Sequence, residues 1–336
     1  MWAVLRVLGV RWTGSIALAP RRCALGIALV AGVACTARAD SSSPRLAAYY
    51  DRYLAVCSGD AYEWTGDDAP QRVMRGIMQV GVGRNDGYAL ASDGRLLAWS
   101  GDAGGASMLL DDVKHFAAGA SGVLAIRVDG SLWRVELAGS VPTGKAGTAI
   151  ARVAANVKAA SVGDGTDYYV TADGDLFARG NAHRGQYGDG RLDGTQTYAR
   201  VASRVLDIKS HTGHAILLTD RGDVQGTGGN IYGPLGRHGL GDKAVRWGTI
   251  LDGATGIATG ASHSLAIRAD KSLWIWGRNE SPDPRRVLAD VVGVAAGSDG
   301  SIALTQDGAL WQWRTGARPR RVLDCPGYAA AQPVAP

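Results

Sequence analysis

Phenylalanine is nearly missing from this sequence, at two residues in 336. Aromatic bulk comes instead from ten tryptophans and eleven tyrosines, set among 48 glycines. Glycine at this level, with moderate charge and spaced tryptophans, reads as short strands joined by tight turns and argues against a helical protein. The apolar run Cys23–Cys35 is too short to span a bilayer comfortably. It follows Arg21 and Arg22 and is followed by Ala37-Arg38-Ala39 and polar Asp40–Ser43. Basic, apolar and small-x-small stretches in that order form a secretory signal, so residues 1–39 are expected to be removed; an uncleaved anchor is the alternative. A start downstream of Met1, twin-arginine export through Arg21-Arg22 and a lipid anchor on Cys35 are left open.

Net charge also vanishes with that segment. Residues 1–39 hold Arg6, Arg11, Arg21, Arg22 and Arg38 and no acid, out of 36 basic side chains in all. The remainder balances 31 acidic side chains, so a basic field for nucleic-acid binding is lacking. Of four cysteines, only Cys57 and Cys325 stay in the mature chain. An oxidising compartment would join them, with two unpaired thiols as the alternative.

Internal repetition is the strongest positive signal. An apolar–small–apolar run, a short spacer and Asp-Gly-x-Leu-Trp recur, most clearly at Leu124–Trp133 and Leu265–Trp274. Further copies stand at Tyr88–Leu97, Tyr168–Phe177 and Ile302–Trp311, with weaker ones at Ile216–Val224 and Leu54–Tyr62. The turn position falls at Gly59, Gly94, Gly130, Gly174, Gly222, Lys271 and Gly308, in steps of 35 to 49 residues that suit one four-stranded blade per repeat. Asp-Gly between apolar runs predicts type I′ hairpins, with strain at Lys271. Runs apolar at successive positions predict strands covered on both faces, and their small centres (Ala89, Ala125, Ala266, Ala303) suggest packing near the axis. Upstream glycines at 83, 119, 163, 260 and 297 are read as bends into the inner strand.

Two segments make the repeat specific. Gly260–Ile267 with Leu273–Asn279, and the loop Gly180–Gly190, resemble repeats of the regulator of chromosome condensation family. Gly228–Gly236 is a weaker copy. The resemblance covers about residues 50–325 and implies an all-β, seven-bladed propeller of four-stranded antiparallel blades. The family's nuclear nucleotide-exchange activity is not carried over to an exported chain. A secreted propeller that inhibits β-lactamases is similar in outline.

The expected organisation is a linker at 40–48, the propeller at 49–327 and a disordered tail at 328–336. Tyr53–Trp64 looks like a blade without a leading strand, and Pro319–Cys325 like a strand without a blade. Ring closure is therefore expected by pairing of the N- and C-terminal segments, with Cys57 bonded to Cys325.

Candidate chemistry is sparse. His211, His214 and His263 share no carboxylate or cysteine at metal-ligand spacing and are read as bonding nearby backbone. Gly185–Gly190 lacks the Lys and helix of a phosphate loop. Asp164–Asp167 and Asp189–Asp193 do not match a calcium loop. Ser121 and Ser262 precede strands and so do not sit on nucleophile elbows. Trp133, Trp274 and Trp311 are read as core. The binding candidates are Arg184, Tyr187, Tyr198, Tyr232, Arg237, His238 and Trp247, in the two long inter-blade segments. The functional expectation is a monomeric, non-catalytic scaffold in the periplasm or outside the cell. It would bind an unidentified protein without cofactor, metal, nucleic acid or stable membrane insertion. A channel hydrolase and an inhibitor of a cell-wall or β-lactam-related enzyme are the alternatives.

Overall fold

The computed structural model describes residues 45–101, 105–137, 148–236 and 241–325. The expected signal and tail lie outside them. Seven antiparallel sheets of four strands follow one another, each in simple chain order. Blades 1 to 7 span residues 46–75, 77–110, 113–154, 157–202, 205–251, 254–288 and 291–324. The first strands of all seven contribute to the lining of one cavity, which is therefore the axial channel. No helix among the described residues is long and apolar enough to cross a membrane.

The innermost strand is not the Leu-Ala-Ile type run, as the small central residue suggested. Those runs are second strands, for example Arg52–Cys57 and Gly122–Arg127. Their side chains alternate between two seams. Leu54 and Val56 join a core cluster with blade 2, while Tyr53, Ala55 and Cys57 join one with blade 7. Burial on both faces is why these runs are apolar at successive positions. There are seven such clusters among the described residues, one for each seam. Each fully buried leucine or valine contributes roughly 1.5–3 kcal/mol, against about 0–1 for an exposed Arg–Asp pair, so the seams hold the ring together.

Tryptophan placement differs in detail. Trp133, Trp274 and Trp311 are half-buried, with indole N–H groups donating to Ser131, Ser272 and Thr305. The fully enclosed indoles are Trp99 and Trp276, further along the third strands.

The type I′ expectation holds only in blade 1. There Ser58 and Gly59 both have positive φ, and Cys57 pairs with Asp60 across a two-residue turn. The other hairpins have one more residue. In blade 2, Gly94 N donates to Ala91 O and Ala91 N donates to Arg95 O, with positive φ at Gly94 alone. That is a three-residue loop, a type I turn followed by a left-handed residue. Lys271 occupies the left-handed position at φ 62° without glycine's freedom.

Ring closure also departs from expectation. Arg320–Asp324 pairs with Ala309–Arg314 of its own blade, and Leu46–Tyr49 supplies blade 1 with its own inner strand. Leu46–Ala48 belongs to the stretch assigned to the linker. The strand Leu46–Tyr49 is only four residues long and carries no turn signal. Blade 7 therefore meets blade 1 through a seam like the others. Ser298 N donates to Tyr50 O at 2.9 Å, as Ala261 N does to Gly297 O at 3.0 Å. Trp64 Nε1 donates to Gln312 Oε1 at 2.8 Å, and Gln312 Nε2 donates to Gly66 O at 2.7 Å. The expected disulfide is present at this seam, joining Cys57 to Cys325 with Cα atoms 5.0 Å apart.

Candidate functional site: the channel mouth

Each inner strand passes into the second strand through a tight turn on one face of the ring. Glycine opens that turn in five blades, as Gly83, Gly119, Gly163, Gly260 and Gly297. None of the five has positive φ, so a backbone bend is not the reason for them. Space is. A Cβ on Gly119 would lie 2.2 Å from Val162 O, and one on Gly297 would lie 2.1 Å from Tyr50 O. At Gly119, Gly163, Gly260 and Gly297 a side chain would have to displace the neighbouring blade, while at Gly83 the contact is merely tight, at 3.1 Å.

Blades 1 and 5 break the rule. Tyr49, paired with Arg52, and His211, whose N–H faces His214 O, stand at the glycine position. The two side chains meet. Their rings stack with centroids 5.1 Å apart and planes 14° from parallel. Tyr50 packs edge-on against Tyr49 at 4.8 Å. One residue further along the turn, Arg84 of blade 2 pairs with Asp164 of blade 4 at 3.2 Å. The Tyr49 phenol also acts on the Arg84 guanidinium and favours its charged form. His211 Nδ1 lies 2.7 Å from Thr212 Oγ1, while its Nε2 is shut off from solvent and has no partner.

Burial sets the ionisation here. Desolvation pulls the His211 imidazole down to about 4, with Asp164 opposing weakly, so the ring is neutral at physiological pH. Burial, assisted by Asp164 and Tyr50, pushes the Tyr49 phenol up to about 12. Arg84 is held protonated by Tyr49 and Asp164. Asp164 is the only carboxylate among the described residues lining the channel cavity. The pair of carboxylates that a channel glycosidase would need is not assembled by those residues.

The residues singled out from the sequence do not form one patch. Tyr187 is fully buried, and its hydroxyl donates to Gly180 O and accepts from Thr195 N. It offers no surface to a partner. Trp247 is half-buried against the same loop, where a Cβ on Gly188 would lie 2.5 Å from its Nε1. Tyr198 packs edge-on against Tyr169 at 4.9 Å, with the Arg179 guanidinium over its ring at 5.2 Å. Arg184 is exposed and lies along Gly213 and Gly229 of blade 5. Tyr232 is 53% exposed beneath Arg278. Arg237 and His238 lie outside the described residues.

The long loops are wedges between blades. Thr227 Oγ1 of blade 5 donates to Gly185 O of the blade 4 loop at 2.7 Å. Trp276 Nε1 and Ser264 Oγ of blade 6 donate to Pro234 O of the blade 5 loop at 2.7 and 2.9 Å. His214 and His263 also bridge blades, through Ser264 and Ser301 hydroxyls at 3.1 and 2.8 Å, rather than bonding backbone. Among the described residues, no three His, Cys, Asp or Glu side chains gather as a metal site.

Sequence reasoning missed the mouth, although its signal was legible. Two of seven repeats lack the glycine, and those two carry aromatic rings.

The model of the regulator of chromosome condensation (RCC1) repeat matches residues 254–281, most of blade 6. The E3 ubiquitin-protein ligase HERC2 of Mus musculus is 27% identical over 258 residues, covering 70% of this chain and 5% of the ligase. The Homo sapiens ligase matches to the same extent. The chain thus spans a small fraction of the curated relatives it matches. Among solved structures, Prp20p from Saccharomyces cerevisiae is similar at a TM-score of 0.64 and 16% identity, over 77% of this chain and 81% of that one. Human WBSCR16 is similar at 0.64 and 14%, over 76% and 84%. At such identities the likeness is one of fold, and it agrees with the blades described above. This chain is a seven-bladed β-propeller carrying the regulator of chromosome condensation repeat.

Proposed function

We propose that the chain is an exported, non-catalytic scaffold that binds a protein partner with the face bearing the channel mouth. Exposed apolar side chains on that face carry the proposal. Tyr50 is 51% exposed, Ile231 67% and Tyr232 53%. Strand order puts them on one face, because turns from first to second strands and loops from third to outer strands leave the same end of every blade. The Arg278 guanidinium sits 5.0 Å over the Tyr232 ring and pairs with Asp299 at 3.4 Å. Asp299 follows Ser298, which bonds Tyr50 O. Aromatic and arginine side chains in such a string are the usual anchors of protein interfaces.

The hairpin face differs. Its arginines largely pair with its own aspartates, as in Arg95–Asp93, Arg127–Asp111, Arg204–Asp220 and Arg268–Asp252, leaving Val128 and Leu206 as scattered apolar side chains. Prp20p, of similar fold, binds Gsp1p and histones, which supports a protein-binding use of the fold. Export is supported by the basic, apolar and small-x-small order of residues 21–39 and by the disulfide, a bond suited to an oxidising compartment.

The test is capture from extracytoplasmic extract on the immobilised propeller. The triple variant Tyr50→Ala, Ile231→Ala, Tyr232→Ala should lose partner about tenfold or more, with its melting temperature held within about 2 °C. Undiminished capture by this variant, with loss in Val128→Asp, Leu206→Asp, would refute the assignment of the face.

A further inference from the structure

We infer that the chamber beneath the Tyr49–His211 stack is a binding site for a neutral, ring-sized molecule bearing one hydrogen-bonding group, of the phenol or azole class. Three independent observations converge on it. The first is space. The channel holds a cavity of about 160 Å³ lined by all seven inner strands. An apolar cavity of about 150 Å³ in another protein is enough to admit benzene. The walls here are mainly small apolar side chains, including Val80, Val82, Ala118, Ala160, Ala258 and Ala295.

The second observation is one unmet polar atom. Among the described residues of the lining, only His211 has a fully buried side-chain polar atom without a partner, and several others are paired within the protein. Ser161 and Ser210 hydroxyls lie 2.9 Å apart, and Gln79 Nε2 donates to Phe116 O at 2.5 Å. Lys209 is held by Asp207 at 2.7 Å, and Asp164 by Arg84. His211 lines the same cavity, and its Nε2 is buried without a partner. A buried nitrogen left in that condition costs free energy that a ligand's hydrogen bond would recover. Because Arg84 and Asp164 already neutralise each other, a charged ligand would be desolvated without a counter-ion, which selects a neutral one.

The third observation is the departure from the repeat. Five blades show that glycine satisfies the seam at this position. Tyr49 and His211 are therefore not demanded by the repeat, and what they add is a stacked aromatic pair on the chamber wall. An aromatic guest stacks against such a surface in offset or edge-on geometry.

Phenol is the probe, with benzene as its counterpart lacking the hydrogen bond. Calorimetric titration of the full propeller should show saturable phenol binding, with benzene about fivefold weaker for want of one hydrogen bond. Imidazole nitrogen shifts should move for His211 and not for His214 or His263. His211→Phe keeps a ring in the pair and deletes Nε2, so phenol affinity should fall to that of benzene. His211→Gly restores the residue of five other blades and should abolish binding while the propeller still melts cooperatively. Absence of saturation by phenol at about 20 mM in the wild-type protein, or unchanged phenol affinity in His211→Phe, overturns the inference. The wild-type titration decides even if a variant fails to fold.

Discussion

Replacing Cys57 and Cys325 by alanine should weaken the ring without unfolding it. The two cysteines are 268 positions apart, and a cross-link restricts the unfolded chain more strongly the longer the loop it closes. In the loop-entropy relation a loop of that length removes about 19 cal/mol/K from the denatured ensemble, or about 5.5 kcal/mol at 25 °C. The folded side changes less. The Trp64–Gln312 and Gln312–Gly66 hydrogen bonds and the cluster of Tyr53, Ala55, Ile302 and Leu304 all survive the substitution. Alanine is chosen over serine because both positions are buried, and an unpartnered hydroxyl there would add a desolvation cost of its own. A domain of roughly 280 residues has an unfolding entropy of about 0.6 kcal/mol/K, so the expected fall in melting temperature is about 9 °C. The assay is thermal unfolding followed by circular dichroism, for the oxidised protein, the reduced protein and the double variant. Reduced protein and variant should melt together, below the oxidised form and with unchanged spectra at 25 °C. A double variant melting within about 2 °C of the oxidised protein would refute the reasoning. It would mean that the bond closes no such loop in solution.

The seam glycines give a second expectation. A methyl group on Gly119 would meet Val162 O at 2.2 Å, so Gly119→Ala should cost about 1–3 kcal/mol in urea unfolding. Gly105→Ala, with open space around it and ordinary φ, should stay within about 0.5 kcal/mol, and equal losses would remove crowding as the cause. The third expectation concerns pH. Desolvation pulls His214 and His263 down to about 3, from an unperturbed value of 6.5. The unfolded chain therefore takes up these protons first as pH falls. Stability is full above about pH 7, declines below about 6.5, and has lost about 2 kcal/mol per histidine by pH 5. His211, pulled down to about 4, adds a comparable loss, so urea midpoints at pH 7.5, 6 and 5 should follow the fall of three histidines and His263→Gln should remove about a third of it; a flat profile would mean that these imidazoles are not buried neutral.

The fold was legible because its signals are local and repeated. Each hairpin turn announces a pair of strands, four of them with Asp-Gly, and seven turns count the blades. Burial between two seams makes every second strand apolar throughout, which periodicity displays. The inner strands were harder to see. Leu46-Ala-Ala-Tyr49 has only four residues, and its counterparts, such as Val113–Gly119 and Val205–Ser210, mix small, polar and large apolar residues. Such mixtures carry neither a common alternating pattern nor a shared motif. The hairpin class was misjudged for a related reason. A turn glycine serves both two- and three-residue loops, and the difference is one residue of spacing, seen when Cys57-Ser-Gly-Asp60 is set beside Ala91-Ser-Asp-Gly-Arg95.

Packing and recognition draw on the same residue types, and Tyr187 is one candidate that packing has taken. Tyr187 and Trp247 lie in glycine-rich loops, as interface anchors often do. Yet the glycines of 185–190 are there so that a loop of one blade can wedge onto the outer strand of the next. Tyr187 is the side chain that fills the wedge, its hydroxyl engaged by Gly180 O and Thr195 N. Composition alone does not separate the two uses. What separates them is a comparison made repeat by repeat. A feature shared by most blades, such as the seam glycine, serves the ring. A feature found in two blades is not demanded by the repeat, even where, as with Tyr49, it also packs into a seam. Tyr49 and His211 are such features, and they lie four blades apart along the chain. No local reading would join them. The propeller brings them face to face over its axis, because positions equivalent in the repeat are placed equivalently around the channel. The same symmetry that hid the mouth from a search for motifs therefore picks it out once the exceptions are aligned.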